Sequence, residues 1–432
     1  MHKRIIIALL LIITLLFTSC SKFVFERKVT KSEMVNTNKS NTVKIDKSKK
    51  ESKIKLSPFY RKIKLRNGYK TLTSESERRM YKAIIAHADD FTDKKASSHK
   101  SLYEMKSFTL YGCDLSQRSL AKTVFAVFQD NPQFFWLDEP YSYSIGDDYV
   151  TLKLYANMSS PRYKKCLKQI NAVVSNLLSK LKKGMSEFER ELYFHDYLVK
   201  NCKYLDDKTD DKDSYTLYGC LVNQSAVCMG YTSAFQLLLS YAGVNSITVN
   251  GANTASGHIW NAVKIEGDWY YTDVTWDDTE DFFMYDNFNI TTKQLKKTHK
   301  IVPKIDSYND NQLFESNGLI KSVNLIIPKC TAVKYNYYRY KGYVLDNLYT
   351  NNMAEYLSKQ AKSKKPYLYI CVDTNKLDYN TVYNNLFAED TFGFADYIKR
   401  ANLILGKDVL KTSVSVTKKK TLSTITVKLK YN

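Results

Sequence analysis

No Cys-x-x-Cys pair and no zinc-type spacing occurs among the eight cysteines, which argues against a metal site. No internal repeat of fixed period is present. The apolar run at the N-terminus, Ile5 to Leu16, falls short of the roughly 20 residues that span a bilayer. Acidic residues are the scarce charge, 44 Asp and Glu against 65 Lys and Arg, and the formal charge is +21. That balance suits nucleic acid, anionic lipid or an acidic cell wall as a partner. Core-forming material is plentiful: 44% of the 432 residues are hydrophobic, with 34 Tyr and 20 Phe, which excludes a wholly disordered or fibrous chain. At about 150 residues each, the length allows two or three domains.

Met1-His2-Lys3-Arg4 is a cationic segment ahead of the apolar run, the form of an export signal. The run ends in Phe17-Thr18-Ser19-Cys20, which resembles a bacterial lipobox. The resemblance implies that Cys20 becomes the first mature residue and the point of lipid attachment, held durably by two or more acyl chains where one binds only marginally. An ordinary cleaved signal with an incidental cysteine is the plainer reading of the same residues. Export leaves the wall and lipid head groups as partners and removes nucleic acid. From Phe25 to Lys55 the chain is rich in Lys, Ser, Asn and Thr and reads as a solvated basic tether.

With Cys20 lipidated, seven cysteines remain, so at least one thiol is unpaired within the chain. Apart from Cys228, discussed below, Cys113, Cys166, Cys202, Cys220, Cys330 and Cys371 read as small buried hydrophobes, and a Cys202–Cys220 disulfide stays open.

Ser74-Glu75-Ser76-Glu77 has capping-box spacing and predicts a helix to about His87. Ser116 opens a second helix, closed by Pro132. Phe134–Leu137, Tyr141–Ile145 and Tyr149–Tyr155 read as strands, and Ser160-Pro161 starts a helix that Gly184 ends. Ser186 to Glu189 is another capping box, and its helix carries His195 on the same stripe as Phe188, Leu192 and Val199, hence as a core histidine. Beyond residue 300, strands are expected at Tyr367–Val372, Thr412–Val416 and Ser423–Leu429, with helices around Thr381–Leu386 and Phe394–Leu405. The expected division is a signal at 1–19, tether at 20–57, an N-terminal α+β region at 58–158, a catalytic domain at 159–300 and a C-terminal α+β region at 301–432.

Chemistry concentrates between Tyr218 and Asp278. Cys228 precedes Ala234, Phe235, Leu238 and Tyr241 at helical spacing, with Gly243 at the C-cap, so it sits at a helix N-terminus, where amides and the macrodipole favour thiolate. Gly257–Ile265 and Trp269–Val274 form a hairpin about Glu266-Gly267. In that register Ile265 faces Asp268 and Trp260 faces Asp273, so His258 and Asp273 share a face as diagonal neighbours. Nucleophile, base and orienting carboxylate are the parts of covalent acyl transfer. Second oxyanion donors are sought at Tyr218, Asn223 and Gln224, whose plainer roles are capping and turn bonds. Trp260 and Trp276 wall a cleft or fill a core. Asp206, Asp207, Asp210, Asp211 and Asp213 fit no EF-hand loop and read as a solvated acidic loop.

The blocks Ala226-Val227-Cys228-Met229-Gly230-Tyr231, Gly257-His258-Ile259-Trp260-Asn261-Ala262-Val263 and Trp269 to Asp278 resemble the transglutaminase-like superfamily, in particular its bacterial, often secreted, branch. The resemblance implies a papain-like α+β fold, a helix bearing the Cys on an antiparallel sheet bearing His and Asp. It makes Cys228 the nucleophile, His258 the base and Asp273 the orienting acid. It is strict over about residues 215–280 and weaker at Asp130–Trp136 and Phe194–Leu198. Met229 stands where animal transglutaminases have Trp, so calcium dependence and cross-linking do not carry over. The expectation is a monomeric, lipid-anchored extracytoplasmic cysteine enzyme without metal or cofactor. It acts on protein or peptide amides, cell-wall peptides among them, by hydrolysis or transamidation. The alternative is an inactive surface module of the same fold that binds ligands.

Overall fold

The computed structural model describes residues 29–31, 65–97, 100–205, 211–252, 257–279, 283–302, 304–305, 323–324, 327–348, 352–391 and 393–432. The segments expected to be an export signal and, nearly in full, a tether, together with Cys20 and Asp206 to Asp210, lie outside the described residues. Among the described residues no helix is long and apolar enough to cross a membrane.

The N-terminal region builds a six-stranded sheet from β1 (Val29–Lys31), β2 (Phe91–Lys95), β3 (Tyr103–Met105), β4 (Phe108–Tyr111), β5 (Leu137–Ile145) and β6 (Tyr149–Ala156). It is accompanied by α1 (Glu75–Ala86) and α2 (Gln117–Asp130). The Ser74–Glu77 capping box forms as the spacing predicts, and Ser116 caps α2. The expected strand Phe134–Leu137 is corrected: Pro132 to Trp136 is a turn, and β5 starts only at Leu137. Its aromatic pattern reflects burial, since Phe134, Phe135 and Trp136 pack on one another in the core.

α3 (Ser160–Ser179) stops five residues short of Gly184, which adopts φ +88° in the following turn. α4 (Glu187–Asn201) then opens on the second capping box. Two short strands, β7 (Lys203–Tyr204) and β8 (Ser225–Ala226), pair in parallel and lead into α5 (Cys228–Tyr241). α5 is buried on nearly every side, as expected of a helix without a polar stripe. It packs on an antiparallel sheet ordered β11-β10-β9-β12, made of β9 (Asn245–Ala252), β10 (Gly257–Ile265), β11 (Asp268–Thr272) and β12 (Lys300–Ile301). Between β11 and β12 come the short α6 (Val274–Asp277) and α7 (Thr292–Leu295), and β13 (Lys304–Ile305) pairs with β14 (Val323–Asn324). One hydrophobic core runs from Leu72 through α2, α4 and α5 to Phe288, crossing the expected boundary at 158/159.

The C-terminal unit has its own core and a sheet ordered β15-β16-β18-β17, from β15 (Tyr343–Leu345), β16 (Tyr367–Val372), β17 (Ser415–Lys419) and β18 (Thr424–Lys428). α8 (Tyr337–Tyr340), α9 (Asn352–Lys362), α10 (Tyr379–Phe387) and α11 (Phe394–Leu405) surround it. The strand expected at Thr412–Val416 begins only at Ser415. This unit docks on residues 283–288: Thr424 Oγ1 donates to Asp286 Oδ1 at 2.9 Å, Tyr369 OH to the Phe283 carbonyl at 2.8 Å, and Tyr285 stacks on Tyr337 at 3.5 Å.

Candidate active site

Cys228 is the first residue of α5, so its amide and that of Met229 have no acceptor within the helix and face the end where the macrodipole is positive. Gly230 lets this first turn press against residues 214–216: a Cβ there would lie 2.6 Å from the Ser214 carbonyl oxygen and 2.7 Å from the Ala226 Cβ. Thr232 Oγ1 donates to the Ile259 carbonyl at 3.0 Å, and Asn261 Nδ2 donates to the Thr232 carbonyl at 3.2 Å, which fixes α5 against β10.

The β10–β11 hairpin turns at Glu266-Gly267, both at positive φ, with Ile265 opposite Asp268. His258 and Asp273 consequently fall on one face, and His258 Nε2 lies 2.6 Å from Asp273 Oδ2. With Nε2 committed, Nδ1 is left for a second partner, and the Cys228 thiol is near enough to the ring to act on its charge. Burial pulls the His258 pKa down, but the charge and hydrogen bond of Asp273, with Cys228 adding, push it up to about 10. Burial works to raise Asp273, yet His258 and then His299 hold it well below the usual carboxylate range. The pair is therefore an imidazolium and a carboxylate. The three groups are nearly closed off, with Cys228 7%, His258 3% and Asp273 2% exposed.

Asp273 also caps α6, accepting the Trp276 amide on Oδ1 at 3.2 Å, and donates its own amide to the Asn287 carbonyl at 2.9 Å. Trp276 is half-buried beside His258, whereas Trp260 is a core indole. Tyr231 of α5 donates to Asp278, tying the nucleophile helix to the end of α6.

The weaker oxyanion candidates lie in the segment that leads into β8. The Tyr218 hydroxyl donates to Gln169 Oε1 at 3.1 Å on α3, and Asn223 and Gln224 are exposed in the turn before β8, Gln224 in the left-handed region at φ 58°. Residues 219–223 form one π-helical turn whose close, the Gln224 amide on the Gly219 carbonyl, returns the chain to β8. Asp213 is in an ion pair with Arg162, and Asp211 accepts the Asp213 amide. The seven described cysteines are free thiols, all buried.

A residue missed in the sequence is His299, whose Nε2 lies 3.1 Å from the same Asp273 oxygen. No motif surrounds it, and only the pairing of β12 with β9 carries it to the site. His258, Asp273 and His299 together have the composition of a metal site, their ligand atoms all within 4.8 Å of one another. The 2.6 Å spacing of His258 Nε2 and Asp273 Oδ2 is a hydrogen bond, shorter than the roughly 3.3 Å edge of a tetrahedron of ligands about 2.0 Å from zinc.

Residues 175–274, which include Cys228, His258 and Asp273, match the family model of the transglutaminase-like superfamily. Over this stretch the chain is similar to that superfamily. Its mixed α+β architecture, with the cysteine helix on an antiparallel sheet, agrees. The mouse protein named kyphoscoliosis peptidase is 27% identical over 142 residues, covering 29% of this chain and 21% of that protein. The human protein of the same name is 32% identical over 78 residues, 15% of this chain and 12% of its own length. The chain thus spans about a fifth or less of these relatives. Among solved structures, one described as a TGase is 15% identical with a TM-score of 0.24, covering 41% of this chain and 53% of that one. A putative cysteine protease from Cytophaga hutchinsonii is 10% identical with a TM-score of 0.23, covering 49% of this chain and 73% of its own.

Proposed function

We propose that this protein is a cysteine enzyme acting on amide bonds, with Cys228 as nucleophile, His258 as general acid and base and Asp273 as orienting carboxylate. The observation that carries this reading is the 2.6 Å His258–Asp273 bond, with the thiol at the start of α5 acting on the same ring. The Cys228 sulfur attacks the amide carbonyl carbon, and the oxyanion forms against the first amides of α5. The C–N bond breaks as His258 gives its proton to the leaving amine, and a thioester remains. Neutral His258 then takes a proton from water or an acceptor amine, which attacks the thioester and expels the sulfur. Water yields an acid, and an amine yields a new amide.

Protein or peptide amides, those of a cell wall among them, are the proposed substrates, consistent with the basic chain and its export signal. Anchoring through lipidated Cys20, with the enzyme acting as a monomer outside the membrane, belongs to the same proposal. The mass of the mature N-terminal peptide tests the anchor, since an unmodified cysteine there would overturn it.

The near-closure of Cys228 is the observation that favours the alternative, a binding module of the same fold. Iodoacetamide labelling of Cys228 against pH, in the full chain kept in detergent, separates the two. Rapid labelling at about pH 6 that His258→Ala abolishes is the expected result for an enzyme. Labelling that rises only above about pH 8 and ignores His258→Ala would establish the binding module instead. Cys228→Ala should remove all turnover and leave the fold intact.

A further inference from the structure

His299 approaches the site from the far edge of the sheet. The α7 capping box of Thr291 and Gln294 sets the direction of the chain, and the His299 amide closes the turn on the Leu295 carbonyl at 2.9 Å. β12 then pairs with β9, Lys300 opposite Ala252 and Ile301 opposite Gly251, while Gly251 is also opposite His258 in the β9–β10 ladder. The two histidines therefore arrive at the same end of one sheet. Gly251 is required there, because a Cβ would lie 2.3 Å from both the Lys300 carbonyl oxygen and the Trp260 ring.

The ring of His299 is wedged between two indoles, its centroid 4.8 Å from Trp260 and 4.3 Å from Trp276. Both nitrogens are engaged, Nδ1 with Thr298 Oγ1 at 2.8 Å and Nε2 with Asp273 Oδ2 at 3.1 Å. Asp273 is consequently held by three donors from three parts of the chain: His258 and His299 on Oδ2, and the Trp276 amide on Oδ1. Removing the second imidazole would leave the carboxylate held by two donors instead of three, His258 on Oδ2 and the Trp276 amide on Oδ1, with a wider range about its broad terminal torsion. The hydrogen bond that sets the tautomer and direction of the His258 ring would then have a less firmly held origin.

We infer that His299 is a positioning residue of this site, acting through Asp273 to hold the His258 ring toward Cys228 without touching substrate. The inference rests on the cysteine-enzyme reading and extends the site by one residue. The titratable groups that face His299 are Asp273, to which it is bonded, and His258, 5.6 Å away between ring centroids.

The test is the pH profile of Cys228 alkylation in the full chain in detergent, for wild type, His299→Phe and His299→Gln. Phe keeps a ring between the two indoles and removes both nitrogens, and Gln keeps a single donor. His299→Phe should melt as wild type does, label about 10- to 100-fold more slowly at pH 6, as expected for a lost bond to a charged group, and shift its profile to higher pH. His299→Gln should recover part of that rate. A folded Phe variant with the wild-type profile would overturn the inference while leaving the enzyme reading intact. Should the Phe variant not fold, the Gln variant decides: slowing of several-fold supports the role, and an unchanged profile refutes it. Slow wild-type labelling that is indifferent to His258→Ala would refute both.

Discussion

Two buried histidine–aspartate pairs lie on either end of α6, built from residues only four apart. Asp273 caps the helix and meets His258 at 2.6 Å, and Asp277 ends it and meets His195 of α4 at 3.1 Å. In the first, His258 is raised and Asp273 lowered, so charge is separated within the pair. In the second, burial works to lower His195, but its bonds to Asp196 and Asp277 push it up to about 9, and burial raises Asp277 as well, against the pull of His195. Both shifts in the second pair say that it keeps its one proton to higher pH than a free imidazole. The difference lies in what else each group touches. His258 has the Cys228 thiol acting on its ring and a second imidazole on its carboxylate, whereas His195 has Asp196, an aromatic cage of Tyr285 and Phe288, and Asn287 bonded to Asp277 at 2.8 and 3.1 Å. The same residue types thus stand beside a thiol in one place and within an aromatic cage in the other. Asn287 joins them, since its carbonyl accepts the Asp273 amide.

The sharpest way to break this comparison is to neutralise each aspartate and read both activity and stability. Asp273→Asn should lower the Cys228 labelling rate and any turnover by roughly 10,000-fold through loss of the correct tautomer, far more than any accompanying loss of folded protein explains. Asp277→Ala should do the reverse in kind, costing about 3–5 kcal/mol of stability by stranding a buried His195, as read by urea unfolding. If Asp277→Ala were as stable as wild type, the structural assignment of the second pair would fail.

Next comes pH. A histidine whose folded pKa is raised binds its proton more tightly in the folded state, so its contribution is complete below about pH 6.5 and disappears as pH rises through the folded value. Stability should therefore decline from about pH 6.5 upward, the His195 part ending near 9 and the His258 part near 10. His195→Gln should remove the first part of that slope in urea titrations at stepped pH, and a slope unchanged by it would place the proton elsewhere. The smallest effect is expected at Glu191, fully buried beneath both pairs, where burial pushes its carboxyl up to about 8 against bonds from Asn289 and Thr272. It is held neutral below that value, so Glu191→Gln should match wild-type stability within about 1 kcal/mol at about pH 4.3 and below, where the side chain is neutral in both states. The same variant should flatten the fall in stability between about pH 4.3 and 8, and a loss of several kcal/mol would show that the native group is charged.

The legible part of the molecule is local. Capping boxes at Ser74 and Ser186 form where their spacing places them, and the helices at Cys228–Tyr241 and Phe394–Leu405 follow their apolar period. The hairpin register around Glu266-Gly267 needs only a two-residue turn and the alternation of a strand, which is why His258 and Asp273 could be placed on one face. Burial patterns mislead where they are not periodic: Phe134 to Trp136 are aromatic because the core needs them, and they turn where a strand is expected. Side chains before β8 could not be placed, because a π-helical turn has no signature in the residues 219–223.

By itself the sequence determined the elements that carry Cys228, His258 and Asp273, since helix ends and hairpin parity depend on neighbours a few residues apart. Tertiary structure decided which aspartate each buried histidine meets across long separations, and it added His299 beside Asp273. Each of those outcomes depends on a pairing across long separations, His195 with Asp277 and His299 with Asp273 through β12 on β9. Such contacts form only when the apolar faces of α5 and the central sheet close on each other and exclude water. The hydrogen bonds of a buried carboxylate are then settled by whichever donors the packing delivers.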